Sequence, residues 1–313
     1  MLKILRNFII GLLIGTIIFS LALPYFYFHE SPMTYYSHVI NDSLRATQDK
    51  RQLARFFNDD GLHLPILTYR TFVEENEEGE PVEPGITLRQ FEEQMKTLKE
   101  INCTFITPND LAYAIDQQVA LPPRSVLITF DDCNEEIYSK AFPILKKYQI
   151  KASVNLIGYY TDHYTNYKFP LLNWEQIHEM NASGLIDFQS ETYYAYVPQL
   201  NIDGSTSYPF TDMRQKEDWD DYWKRITRDL FHNNVLIFAK TGSMPIALAY
   251  PHNKSSENTK KAMENVHLKF GYDSYNNVCL NLVNWIDPYH LPRFEMNQNF
   301  KDMQDFIIFI NTY

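Results

Sequence analysis

Ser125-Val126-Leu127-Ile128-Thr129-Phe130-Asp131-Asp132 is an uncharged, β-branched run that ends abruptly on two adjacent carboxylates. The loop Leu121-Pro122-Pro123-Arg124 delivers it, so the six residues before the aspartates read as a buried strand. Carboxylates placed straight after such a strand are costly to desolvate. They need a metal, hydrogen bonds or a shared proton to offset that cost, unless one of them simply caps the helix that follows.

Outward from this strand the pattern alternates. Upstream, Leu62 to Tyr69 reads as a first buried strand, and the stretch from Glu74 to Glu83 is a solvated loop with six glutamates. Thr87 then caps a helix carrying Phe91, Met95 and Leu98 at helical spacing, Thr104 to Ile106 is a short strand, and Thr107-Pro108-Asn109-Asp110 opens another helix. Downstream, helices are expected over Glu135 to Tyr148, Trp174 to Met180 and Asp220 to Lys240. Strands are expected over Ala152 to Ile157, Ile186 to Ser190 and Ile246 to Tyr250. Strand and helix taking turns in this way predict an α/β fold with parallel strands, of a length that suits a barrel. In such barrels chemistry sits where strands end, which singles out Asp131, Asp132, Glu191 and Tyr250.

The chain has 313 residues, 45% hydrophobic and 15% aromatic, enough for a large core and incompatible with disorder. Its net charge of -11 would repel a phosphate backbone unless one face were locally basic, so nucleic acid is not an expected partner. Three cysteines, Cys103, Cys133 and Cys279, are too few for a disulfide framework, and Cys133 reads as a buried structural thiol. Lys3 and Arg6 precede an uncharged run from Phe8 to Phe28 that can just cross a bilayer. Residues 1–30 are therefore read as a membrane-spanning or signal helix, with Ser20-Leu21-Ala22 offering small residues for cleavage. The body would lie at the extracellular face of the membrane, or be secreted if the helix is cut. Residues 31–60 then form a membrane-proximal helical linker, 61–297 the barrel, and 298–313 a C-terminal helix.

Ile128-Thr129-Phe130-Asp131-Asp132, followed by Tyr138, the run Ala141 to Tyr148 and Ile150 to Ser153, resembles the first motif of the NodB-homology polysaccharide deacetylases, carbohydrate esterase family 4. Leu172 to Ile177 with Met180, Leu248-Ala249-Tyr250-Pro251 and Leu291-Pro292-Arg293 follow in that family's order. The arrangement looks most like the poly-β-1,6-N-acetylglucosamine deacetylases of the intercellular-adhesion type. The resemblance implies a distorted (β/α)7 barrel acting on an N-acetylglucosamine polymer by amide hydrolysis, with release of acetate. It implies a divalent metal, zinc in the family, and partners in polysaccharide synthesis and export. It also implies roles: Asp131 as general base, Asp132 as metal ligand, the backbone N–H at His252 as oxyanion donor, and Arg293 as the residue that holds Asp131. Tyr250, Tyr193 and Tyr194 would line a sugar-binding groove.

The chain departs from that pattern at the metal. Where the family places two histidines, Ser190-Glu191-Thr192-Tyr193-Tyr194-Ala195-Tyr196 offers Glu191 and Tyr196 as replacement ligands. Arg70 follows Tyr69 where a Tyr-His pair is expected, and Asn253 replaces a usual glycine. Imidazole suits zinc, whereas carboxylate and phenol suit harder ions. Three readings follow: a deacetylase with an altered or absent metal, a non-catalytic glycan-binding or assembly subunit, and a metal-independent hydrolase using Asp131 and Glu191 as a carboxylate pair.

Overall fold

In a computed structural model, the described residues are 63–77, 81–83, 85–117, 119–163, 169–201, 203–273, 280–281, 287–296 and Phe306. The expected segments 1–30 and 31–60 lie outside them, as does 298–313 apart from Phe306. Among the described residues no helix is long and apolar enough to cross a membrane. The chain divides into two compact units. The described part of one falls within Tyr113–Pro122; the other, Asp59–Ala112 with Pro123–Tyr313, holds all the strands discussed below.

Strands β1 (Ile66–Tyr69), β2 (Thr104–Ile106), β3 (Ser125–Phe130), β4 (Ala152–Leu156) and β5 (Ile186–Ser190) are followed by β6 (Ala247–Ala249), β7 (Phe270–Asp273), β8 (Leu291–Pro292) and β9 (Phe294–Glu295). Every pairing among them is parallel, in the order β8-β7-β6-β5-β4-β3-β1-β9. The two ends of that order are halves of one strand, interrupted only at Arg293. Leu291 and Pro292 pair with Tyr272 and Asp273, while Phe294 and Glu295 pair with Leu67 and Thr68. The sheet is thus a nearly closed ring of seven strands, the (β/α) barrel expected from the sequence, with Arg293 at its seam. Strand β2 pairs with Ser125–Leu127 on the same edge of β3 whose last residues pair with β4, which splays that part of the ring.

The β3 run is buried at all six positions, as a strand covered on both faces must be. Its Phe130 meets Tyr69 and Phe91 at ring-centroid distances of 5.6 and 5.9 Å, and Tyr69 meets Phe91 edge-on at 4.9 Å. Phe91, Met95 and Leu98 are the buried face of helix Leu88–Glu100, whose start is fixed by reciprocal bonds between Thr87 and Gln90. Each such fully buried side chain stabilises the fold by about 2–3 kcal/mol relative to exposure.

One expected helix is in fact two. A π-helical stretch, Ile137–Ala141, precedes the α-helix Phe142–Tyr148, and Phe142 N–H bonds back to Ile137 O. Pro143 has no N–H to give Ser139, so the ladder changes register there. Parallel strands place their carboxyl ends together, so Arg70, Asp131, Glu191 and Tyr250 all leave the barrel at one mouth.

Candidate active site

Asp131 is the first residue beyond β3 and is 1% exposed. Arg293 forks onto it, Nη1 to Oδ1 at 2.9 Å and Nη2 to Oδ2 at 2.7 Å. Asn155, from β4, donates a third hydrogen bond to Oδ1 at 2.7 Å, and Arg70 Nη2 stands 3.4 Å from Oδ2. Burial alone would raise the Asp131 carboxyl, but the charges of Arg293 and Arg70, with the hydrogen bonds, hold it below the usual carboxylate range. Three hydrogen bonds and a second guanidinium at 3.4 Å surround the two carboxylate oxygens.

Asp132 and Cys133 both take left-handed backbone conformations, φ 67° and 52°, so the chain turns sharply after the strand. The turn drives Cys133 inward, where its sulfur accepts the Ile157 N–H at 2.9 Å and burial pushes its thiol up. It is a packed structural thiol, as expected. Asp132 stays at the mouth. Its Oδ2 accepts from Arg70 Nη1 at 2.7 Å, its Oδ1 accepts from the Tyr196 hydroxyl at 2.9 Å, and its own N–H donates to Glu191 Oε2 at 2.9 Å. Burial, then repulsion from Asp132 and Asp131, raises the Glu191 carboxyl well above its usual range despite Arg70. Two guanidiniums, those of Arg70 and Arg293, thus face the carboxyl groups of Asp131, Asp132 and Glu191.

The loop after β5 carries Tyr193, Tyr194 and Tyr196. Asp229, from helix Trp219–Thr241, holds that loop by accepting the N–H groups of Tyr193, Tyr194 and Ala195 at 2.7, 2.8 and 2.9 Å. Tyr193 stacks on His232 at 4.0 Å, and Tyr194 is exposed and edge-on to Tyr159 at 4.6 Å. Tyr250 does not open onto a groove: it is 4% exposed, and its hydroxyl donates to Tyr289 O at 2.8 Å. His252 and Asn253 sit at φ 53° and 55°, where asparagine tolerates what a glycine would otherwise supply. The His252 ring nitrogen donates to Tyr196 O at 2.7 Å, and the ring lies 4.7 Å from that of Tyr196. It props the tyrosine that reaches Asp132. His290 faces Asp273 instead, at 3.1 Å.

Sequence reasoning missed three members of the cluster: Asn155, Asp229 and Glu295, the last being 3.3 Å from Arg70 Nε. A period-2 reading of β4 would have placed Asn155 among inward positions, a weak but available signal.

These donors do not fit the divalent ion that the resemblance implies. Asp132 has both oxygens engaged, the Glu191 oxygen faces a backbone N–H, and no imidazole joins them. The Arg70 guanidinium already takes Asp132 Oδ2, at 2.7 Å. Among the described residues, no group of three or more His, Cys, Asp or Glu could hold a metal.

Fold and mouth together define a parallel (β/α) barrel with an acid–arginine cluster at its carboxyl end. Residues 118–271 match the family model described as Polysaccharide deacetylase. The poly-beta-1,6-N-acetyl-D-glucosamine N-deacetylase of Staphylococcus epidermidis is 28% identical over 193 residues, 60% of this chain and 61% of that protein. The match thus spans about three fifths of the length of the curated relative. Among solved structures, a de-N-acetylase from Aggregatibacter actinomycetemcomitans superposes with a TM-score of 0.67 at 20% identity, over 78% of this chain and 99% of that one. IcaB from Ammonifex degensii superposes with a TM-score of 0.63, also at 20% identity, over 80% and 98%.

Proposed function

We propose that this protein removes acetyl groups from an N-acetylglucosamine polymer, at the outer face of the cell membrane or secreted, with residues 1–30 as anchor or signal. The observation that carries the reading is the doubly gripped Asp131 beside the Arg70 guanidinium at the mouth of a deacetylase barrel. Relatives named as poly-β-1,6-N-acetylglucosamine N-deacetylases supply the substrate class.

Arg70 has five N–H groups, and three of its nitrogens already meet Asp131, Asp132 and Glu295. The remaining donors on Nη1 and Nη2 suit the carbonyl oxygen of an acetamide, whose developing negative charge they would stabilise. Asp131 serves as proton acceptor for water once it yields its longest contact, the 3.4 Å approach of Arg70. Glu191, whose carboxyl is raised well above its usual range by burial and by the neighbouring aspartates, is suited to give a proton to the departing amine. Tyr193 and Tyr194 present rings to sugar faces. Proteins of polysaccharide synthesis and export are the partners this role implies.

A second reading, glycan binding without turnover, is favoured by one observation: Asp131 already accepts three hydrogen bonds and lies 3.4 Å from a second guanidinium. Acetate release from N-acetylglucosamine oligomers separates the two. Release supports the deacetylase; saturable binding with no acetate supports the binding protein.

A further inference from the structure

The mouth gathers carboxyl groups from three places: Asp131 and Asp132 beyond β3, Glu191 beyond β5, and Glu295 in β9. One side chain answers most of them. Arg70, one residue past β1, touches Asp131, Asp132 and Glu295 through three different nitrogens, and its charge also acts on Glu191. Arg293, 1% exposed, forks onto Asp131 and reaches the Thr129 hydroxyl from within the barrel.

We propose that the Arg70 guanidinium is the resident cation of this site, standing on Asp132 in place of a divalent ion and making the protein indifferent to metals. The claim concerns the same cavity as the proposed function but not what enters it, so neither stands or falls with the other. A planar fork meets several carboxylates at fixed angles, which a hydrated ammonium does less well. It also repels a second cation. Asp132 offers an incoming ion no oxygen that is not already accepting a hydrogen bond, and displacing Arg70 would leave a guanidinium beside a dication. Tyr196 completes the arrangement, since a neutral phenol donating to Asp132 needs no metal to hold its proton away.

The test uses the purified full-length protein, stripped with a chelator and titrated with Zn2+, Mn2+ and Ni2+. Calorimetry and thermal melting are the readouts, and no glycan is present. The native protein is expected to show no saturable binding at the mouth and no shift in Tm. Arg70→Gln removes the cation and leaves Asp131, Asp132 and Glu191 around a vacated place. This variant is expected to bind one divalent ion saturably and to gain several degrees in Tm with it. Arg70→Lys keeps the charge and is expected to stay indifferent. Two results overturn the proposal. One is stoichiometric metal on the native protein that Asp132→Asn abolishes, a result that stands whether or not Arg70→Gln folds. The other is an Arg70→Gln protein with native near-ultraviolet dichroism that ignores all three metals.

Discussion

Asp131 shows how much a single buried carboxylate can ask of its surroundings. Arg293 and Asn155 donate to it from two separate stretches of chain, and Arg70, from a third, stands 3.4 Å away as a counter-charge. Removing the fork strands a charge that is 1% exposed, and breaking a buried pair in this way typically costs about 3–5 kcal/mol. Arg293→Ala is therefore expected to lose about 3–5 kcal/mol of stability in denaturant unfolding; a loss below about 1 kcal/mol would show that the pair is not buried as described. At this scale the sequence was half legible. Asp131, Asp132 and Arg293 stand in motifs, and the missing histidines announced themselves by the residues in their places. Asn155 and Glu295 carry no pattern of their own. An amide inside an apolar run and a lone carboxylate two residues past an arginine acquire meaning only when the ring brings their strands together.

Elements position what residues do. The bounds of β2, β3 and β5 follow from the sequence without adjustment, because short runs between clear stops leave little choice of register. The helix after β3 was legible only in outline, since Pro143 within it shifts the hydrogen-bond ladder rather than ending it. Asp229 was illegible, because it lies on a helix whose pattern predicts only an amphipathic face. Its three backbone contacts hold the loop that delivers Tyr196 to Asp132. Asp229→Ala is expected to lose about 2–4 kcal/mol, from charge-assisted bonds of about 1.5–3 kcal/mol each that water partly replaces. It should also weaken oligomer binding more than Arg70-independent surface changes do. Unchanged binding and stability would mean that the loop holds itself.

The start of β5 carries a pH signal of its own. Burial, with the nearby charge of Asp110, pushes the Asp187 carboxyl up to about 6 against a bonding Gln189 amide. Its folded value exceeds the unfolded one of about 3.9, so the folded state holds the proton more tightly. The stability this lends is complete below about pH 4 and is lost as pH rises through about 6. Asp187→Asn is expected to flatten that fall and to raise stability at pH 7 by about 1–2 kcal/mol, the side chain being partly screened by solvent. Parallel stability–pH curves for variant and native protein would remove Asp187 as the cause.

The parallel sheet of the larger unit is a ring that almost closes. Alternating strands and helices made a parallel barrel legible, and the family resemblance fixed its strand number. The seam was hidden, because nothing in Leu291-Pro292-Arg293-Phe294-Glu295 says that its two halves pair with opposite edges of the sheet. That seam places Arg293 between β7 and β1 and so brings its fork to Asp131. A surface of net charge -11 suits a neutral or partly deacetylated, cationic glycan better than an anionic polymer. The central claim is that this mouth hydrolyses the acetamide of N-acetylglucosamine polymers with its own residues. The most direct measurement is acetate release from N-acetylglucosamine oligomers in the presence of a chelator, for the native protein and for Asp131→Asn. Sustained release by the native protein, abolished in Asp131→Asn while oligomer binding stays within a few fold, is the predicted result. Saturable oligomer binding with no acetate from the native protein, or equal release from both, contradicts it.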